Sequence, residues 1–216
     1  MSGFDLRLAE MLASRLCHDL VNPLGAVANG IELMGEFCDT MQKDALDLVG
    51  TSAERAMKRI GFFRVAYGSA GHDEGQSVSD IRPLAEGFLA GGKITLDWPA
   101  RPEDMVTELP RSGLKLLLCL IALGAECLPR GGRLVVSMAA PGEAQVTAEG
   151  QGARLDVATE AVLAAIRAED SPDPDLLEPK CVGAAYAGRL ARIIGARLDI
   201  EAGSDRVDLR LGLGLA

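Results

Sequence analysis

One long stretch near the N-terminus, residues 5–35, constrains the fold of this chain more than any other. Its apolar residues recur at spacings of three and four, the pattern of one face of a long α-helix. They are Leu6, Ala9, Ala13, Leu16, Leu20, Leu24, Val27 and Ile31. An α-helix turns about 100° per residue, so this apolar stripe lies about 160° to 240° from His18 on the helical wheel. His18 is therefore predicted to point away from the buried side.

The surroundings of His18 favour a chemical role, with an idle surface histidine as the alternative. At pH 7 an exposed imidazole is mostly neutral and nucleophilic. Asp19 can orient the ring or move a proton, and Asn22, one turn further on, can position an incoming group or a water molecule. Gly25 leaves the next turn without bulk, so another protein can come close. The same half of the helix also presents Met11, Ser14, Arg15 and Asn29.

A second helix is predicted from about residue 41 to residue 66. Its apolar residues form a strict heptad, the pattern of helix bundles: Leu46, Val49, Ala53, Ala56, Ile60, Phe63 and Tyr67. A two-helix hairpin cannot bury both apolar faces alone, but two copies can do so as a four-helix bundle. We therefore predict a homodimer, and coverage by the rest of the same chain is the alternative. A hairpin that turns near Cys38 would place His18 at the same height as about Arg59. The basic residues around Arg59 are expected to be ordinary solvent-exposed side chains.

The second half of the chain is predicted to be a separate domain. Residues 71–78 are polar and glycine-rich, which predicts a linker, and His72 within it is predicted to have no functional role. The linker would join a helical domain of residues 1–70 to a domain of residues 79–216. Alternating signals predict helices at 79–90, 110–128, after Thr159, and 181–194. They predict strands at 93–98, 133–139, 144–149, 154–157, 197–202 and 206–213. This order indicates an α/β sandwich, with helices on one face of a mixed sheet.

Composition excludes several classes of function. The net charge of −9 argues against nucleic acid or an anionic membrane as a partner. Five scattered cysteines and two histidines argue against a zinc site and fit reduced thiols in a cytoplasmic protein. The sequence shows no signal peptide and no apolar run long enough to span a membrane. A cytoplasmic protein without a metal site is therefore expected.

The run from His18 to Leu24, His-Asp-Leu-Val-Asn-Pro-Leu, resembles the H-box of histidine kinases, His-(Glu/Asp)-x-x-(Thr/Asn)-Pro-Leu. With Cys17 and the run 29–33, the chain resembles the ChpT type of dimeric histidine phosphotransferase over essentially its whole length. The resemblance implies that His18 carries a phosphoryl group between receiver-domain aspartates in a multistep phosphorelay. It implies receiver domains of a hybrid histidine kinase and of response regulators as partners. Magnesium would come from the receiver, so no cofactor is expected.

The order of elements in residues 79–216 resembles the Bergerat ATP-binding fold of histidine kinases, but its ATP-binding residues are replaced. Leu123 stands where the family has the asparagine that holds Mg²⁺, and a hydrocarbon cannot coordinate a hard cation. Ala148 replaces the carboxylate that reads adenine, and the glycine-rich third box has shrunk to residues 181–185. We therefore expect no ATP use. An active histidine kinase fragment, or a non-catalytic dimeric scaffold that binds receivers, is the alternative interpretation.

Overall fold

The computed structural model describes residues 2–36, 39–68, 77–99, 109–168 and 172–214. The predicted hairpin turn at Cys38, the idle His72 and most of the predicted linker lie outside the described residues. The division into domains at residues 70 and 79 therefore stays a prediction.

Two long helices form the N-terminal hairpin. Helix α1 spans Gly3–Glu36 and α2 spans Asp39–Ala66, so both predicted helices are confirmed. A Cβ atom on Gly30 would lie 2.6 Å from Cγ2 of Val49. A glycine at this position therefore lets the two helices approach closely.

The buried side of α1 differs from the predicted apolar stripe. Leu24 and Ile31 are 52% and 58% exposed, whereas Phe4, Leu8 and Leu12 are buried. The spacing correctly identified a helix, but the C-terminal half of the chain covers a neighbouring strip of its surface, about 40° to 120° from His18. The predicted stripe therefore remains largely uncovered within one chain.

The rest of the chain folds around a five-stranded sheet. In chain order, the helices are α3 Val78–Leu89, α4 Arg111–Glu126, α5 Val157–Ala168 and α6 Val182–Ile193. The strands are β1 Ile94–Asp97, β2 Gly132–Ala140, β3 Glu143–Glu149, β4 Ala196–Gly203 and β5 Arg206–Leu213. Their order is β1-β2-β3-β5-β4, and β1 pairs with β2 in parallel while the other neighbours are antiparallel. The predicted mixed sheet is therefore confirmed.

One helix start was shifted by a residue and one predicted strand was wrong. Helix α3 begins at Val78 rather than at residue 79, and its cap is Ser77, whose backbone N–H donates to the Asp80 carboxylate at 2.7 Å. Residues 154–157 form no strand. Asp156 instead caps α5, because its carboxylate accepts a hydrogen bond from the backbone N–H of Ala158 at 2.9 Å. The capping hydrogen bond of Asp156 thus favours the start of a helix over the strand that the alternation of apolar residues had predicted.

The end of α2 is fixed to the C-terminal half by three side chains. Lys115 Nζ donates to the carbonyl of Gly68 at 2.9 Å, and the Tyr186 hydroxyl donates to the carbonyl of Tyr67 at 3.3 Å. The Cys119 thiol donates to the carbonyl of Ala66 at 3.4 Å. These bonds satisfy carbonyls that the end of a helix leaves free. The hairpin and the sheet are therefore joined by polar contacts as well as by a continuous apolar core.

A polar cluster on the sheet gives one stability prediction. Asp208 accepts hydrogen bonds from Arg206 and Thr147, at 2.8 and 2.6 Å, and the arginine lowers the pKa of Asp208 to about 2. The folded pKa lies below the unfolded value, so this contribution is complete above about pH 4 and is lost as the pH falls through 2. That difference is worth at most about 2.4 kcal/mol. Because Arg206 is half exposed, we expect Asp208→Asn to cost about 1 to 2 kcal/mol at pH 7.

Urea unfolding at pH 7 and pH 3 checks this expectation. The matched control is Asp199→Asn, whose aspartate pairs with Arg197 at 2.9 Å although both side chains are largely exposed. The control should cost less than about 0.5 kcal/mol at either pH. Equal losses for the two variants at pH 7 would contradict the role given to Asp208.

Candidate functional site

His18 lies at a cleft between α1 and the C-terminal half of the chain. The cleft has a volume of about 650 Å³, and we term it the His18 cleft. Its lining comprises Met11, Ser14, Arg15, His18, Asp19, Leu123, Glu126, Cys127, Pro129, Arg154, Leu155, Asp156, Thr159, Pro179 and Lys180. One wall is thus the helix with the H-box, and the other belongs to the α/β half.

The cleft brings together five of the residues singled out from the sequence: Met11, Ser14, Arg15, His18 and Asp19. Asn22, Gly25 and Asn29 lie further along α1, are exposed, and do not line the cleft. A Cβ atom on Gly25 would meet nothing within 4 Å, so this turn of the helix is open to solvent. The predicted docking face of α1 therefore extends beyond the cleft, and only its part from Met11 to Asp19 lies opposite the C-terminal half of the chain.

His18 is highly exposed, and its closest charged neighbour is Asp19. The imidazole side chain is 78% exposed, which confirms the predicted outward direction. Its Nδ1 lies 3.6 Å from Oδ1 of Asp19, and Oδ2 of Asp19 lies 4.0 Å from a guanidinium nitrogen of Arg59. The hairpin thus sets His18 level with Arg59, as predicted. One ring nitrogen of His18 therefore faces a carboxylate, while most of the side chain is exposed to solvent.

Arg15 makes a contact that spacing along the chain did not reveal. Its guanidinium forms a short hydrogen-bonded ion pair with Glu126 of α4, which is 111 residues away. Both side chains are only 26% exposed. Burial raises the pKa of the Glu126 carboxyl, while the Arg15 guanidinium acts in the opposite direction. Arg15, which was predicted to dock a partner, therefore also links α1 to the C-terminal half of the chain through an ion pair.

The remaining wall carries charged residues that the sequence alone did not single out. Lys180 Nζ lies 3.1 Å from the Asp156 carboxylate and 3.3 Å from that of Glu178, and Arg154 is exposed beside them. More than 130 residues separate this group from His18. No local spacing signal could have linked them, because the sheet brings them to the cleft.

Two residues that stand at family ATP-binding positions are buried and apolar. Leu123, which lines the His18 cleft, is 2% exposed, and Ala148 of β3 is fully buried, so neither side chain carries an oxygen that could bind a metal ion or adenine. Among the described residues, no group of three or more His, Cys, Asp or Glu side chains is placed to hold a metal ion. Within the same part of the chain, no helix has the length and apolar character needed to cross a bilayer.

Comparisons with known proteins point to one family. The family model for the histidine phosphotransferase C-terminal domain matches residues 78–206. Protein phosphotransferase ChpT from Brucella abortus (strain 2308) is 36% identical over 134 residues, which cover 62% of this chain and 61% of that protein. The match thus spans about three fifths of the curated relative. The solved structure of a bacterial phosphotransferase is 27% identical, with a TM-score of 0.78, covering 98% of this chain and 97% of that one.

Proposed function

This chain belongs to the histidine phosphotransferase family, and on that basis we propose that it passes phosphoryl groups between receiver domains in a phosphorelay, with His18 as the carrier. The observation that carries the proposal is the placement of an exposed imidazole at the mouth of the His18 cleft. A receiver needs such access, because its aspartyl phosphate must reach the ring in line.

The proposed chemistry needs little covalent machinery in this chain. Asp19 faces Nδ1 and favours a proton there, which leaves a lone pair on Nε2 of His18. That nitrogen attacks phosphorus, the bond from phosphorus to the receiver's carboxylate oxygen breaks, and the carboxylate leaves with the electron pair. An aspartate oxygen of a second receiver then attacks the same phosphorus, the bond from phosphorus to Nε2 breaks, and the ring nitrogen recovers its electron pair. Positioning and charge neutralisation carry such transfers, with Mg²⁺ held by the receiver.

We propose that receivers dock across both walls of the cleft. On α1 the contact would run from Met11 and Ser14 past His18 to Asn22, Gly25 and Asn29, with Asn22 positioning the incoming group. On the other wall it would reach Arg154 and the exposed Val157. Residues 79–216 would then be a degenerate Bergerat domain that serves as a docking wall. We place the relay in the cytoplasm, in keeping with four free cysteines among the described residues.

A transfer assay on the full chain tests this proposal. A panel of receivers carrying labelled aspartyl phosphate is incubated with the protein, and the label is followed to the chain and on to a second receiver. Phosphohistidine is labile to acid and stable to alkali, whereas aspartyl phosphate is labile to alkali. Label on this chain with the histidine pattern is the expected result. Receiver binding without any transfer would favour the scaffold alternative instead.

We also propose that the protein acts as a homodimer through a four-helix bundle. Support comes from large apolar side chains that one chain leaves exposed, including Leu24 and Ile31 of α1 and Leu46 and Ile60 of α2, each more than 40% exposed. An apolar groove of about 650 Å³ runs between the two helices, with Leu16, Leu20, Ile60 and Phe63 in its lining. A second copy of this hairpin would bury these surfaces.

Ile60→Glu is expected to convert the dimer to a monomer, because a carboxylate would be buried in the bundle. Sedimentation equilibrium of the full chain measures this. The isolated hairpin is a poorer test, since it would expose Phe4 and Phe62, which are fully buried in the complete chain. The matched control is Thr51→Glu, an exposed position about 180° around α2 from Ile60. A wild-type monomer, or equal effects of both variants, would contradict the proposal.

No autophosphorylation of His18 by Mg²⁺–ATP is expected, because Leu123 and Ala148 remove the metal and adenine contacts. Incubation with γ-labelled ATP measures this, and the same preparation must accept phosphoryl groups from a receiver as its positive control. Alkali-stable label transferred from ATP to His18 would instead support the active kinase alternative.

A further inference from the structure

A second cavity, of about 280 Å³, lies between α2 and the loop that joins α3 to β1. We term it the basic pocket. It is lined by Arg55 and Arg59 of α2, by residues 87–94, which include Lys93, and by Ala125. Three of the lining residues are therefore cationic, and no acidic residue is among the described residues that line the pocket.

Two of the three cations of the basic pocket have no acidic partner among the described residues, whereas many other basic residues do. Arg189 and Arg206, for example, lie 2.7 Å from carboxylates. Arg55 and Lys93, in contrast, form no ion pair with any described residue, and the carboxylate nearest to Arg59 is Asp19, at 4.0 Å. Positive charges gathered in a concave surface attract a counter-ion.

The loop holds the arginines in place. Gly91 has a φ of 75°, and a Cβ atom there would lie 2.9 Å from a guanidinium nitrogen of Arg55. Glycine therefore allows both the turn and the contact. The guanidinium carbon of Arg59 lies 5.9 Å from the centroid of the Phe88 ring, which itself stacks on Phe62 at 4.1 Å. Two of the three cations, Arg55 and Arg59, therefore contact the loop that forms the other side of the pocket.

We propose that the basic pocket binds a small phosphate-bearing anion of the diphosphate class. Guanidinium groups bind phosphate oxygens through paired N–H donors, and a lysine adds a point charge. The volume is at the small end of pockets that hold small molecules, which suits a diphosphate or a compact phosphorylated metabolite. Two or three negative charges would balance the three cations.

The basic pocket is coupled to His18 through Arg59, which lines the pocket and also lies near Asp19, the neighbour of His18. A bound anion competes with Asp19 for the Arg59 guanidinium, so occupancy of the pocket weakens the contact between Arg59 and Asp19. This coupling rests on the proposed role of His18, whereas the binding itself does not.

Calorimetric titration of the full chain with inorganic pyrophosphate, at constant ionic strength, tests the site. A dissociation constant between about 10 µM and 1 mM is expected. Arg55→Gln and Lys93→Gln should each weaken binding about tenfold or more. The matched control is Lys43→Gln, an exposed position about 18 Å along α2 from Arg55, which removes the same charge and should bind as the wild type does.

Two further measurements complete the test. Sulfate should bind at least about tenfold more weakly than pyrophosphate, since it carries less charge and spans fewer of the cations. In proton NMR spectra, the His18 ring signal, assigned with His72→Ala, should shift with pyrophosphate in the wild type and not in Arg55→Gln. Absent binding, or equal affinities in all three glutamine variants, overturns the site. Retained binding with an unmoved His18 signal overturns the coupling. None of these readouts uses phosphoryl transfer, so the proposed function is tested separately.

Discussion

Replacing His18 by alanine is expected to abolish phosphoryl acceptance while leaving the fold and the proposed dimer intact. The imidazole is the proposed nucleophile, and no other residue that lines the His18 cleft is a histidine. Because the side chain is 78% exposed, its removal should change the free energy of unfolding by less than about 0.5 kcal/mol. Label on the chain and urea unfolding measure the two effects.

His72→Ala is the matched control, since it removes the other histidine of the chain. It should accept phosphoryl groups as fast as the wild type. Acceptance by His18→Ala with the acid-labile pattern would show that another residue carries the group. A large loss of stability in His18→Ala would show that the ring is a packing residue.

Replacing Arg15 by alanine is expected to reduce stability and to slow transfer together. The variant leaves the Glu126 carboxylate mostly buried without its counter-charge. Breaking a buried pair costs about 3 to 5 kcal/mol, and because both side chains are 26% exposed we expect about 2 to 3 kcal/mol. Transfer should slow because the ion pair fixes α1 against the opposite wall of the cleft.

The pH dependence distinguishes this explanation from simple loss of packing. Burial raises the pKa of Glu126 above its usual 4.5, so the folded state binds more protons than the unfolded state in the range above 4.5. The contribution of Glu126 to stability therefore rises as the pH falls through that range, and more steeply in Arg15→Ala than in the wild type. Urea unfolding at pH 7 and pH 5 measures the difference.

Arg7→Ala is the control, because Arg7 lies 3.9 Å from Asp175 and that pair is well exposed. It should cost less than about 0.5 kcal/mol. The double variant Arg15→Met with Glu126→Leu should recover most of the stability, since apolar groups can replace a buried pair. If transfer stays slow in that stable double variant, Arg15 also contacts the receiver directly. Equal free energies of unfolding for Arg15→Ala and Arg7→Ala would contradict the stabilising role given to the Arg15–Glu126 ion pair.

Much of the fold was predictable from the sequence because it depends on neighbours in the chain. The period of the apolar residues identified α1 and α2, and alternation with turn signals identified five strands of the sheet. The shifted start of α3 and the error at residues 154–157 arose where one capping side chain decides the start of a helix. Such caps depend on a single hydrogen bond, which a pattern of hydrophobicity does not record.

The sequence by itself determined that His18 points outward, since the phase of a helix is set by local spacing. Only the tertiary structure decided which strip of α1 is covered, that Arg15 pairs with Glu126, and that Leu123, Arg154 and Lys180 form the second wall. These contacts join residues more than 100 positions apart. They exist because the sheet and α4 pack against the hairpin, and packing between distant segments leaves no period in the sequence.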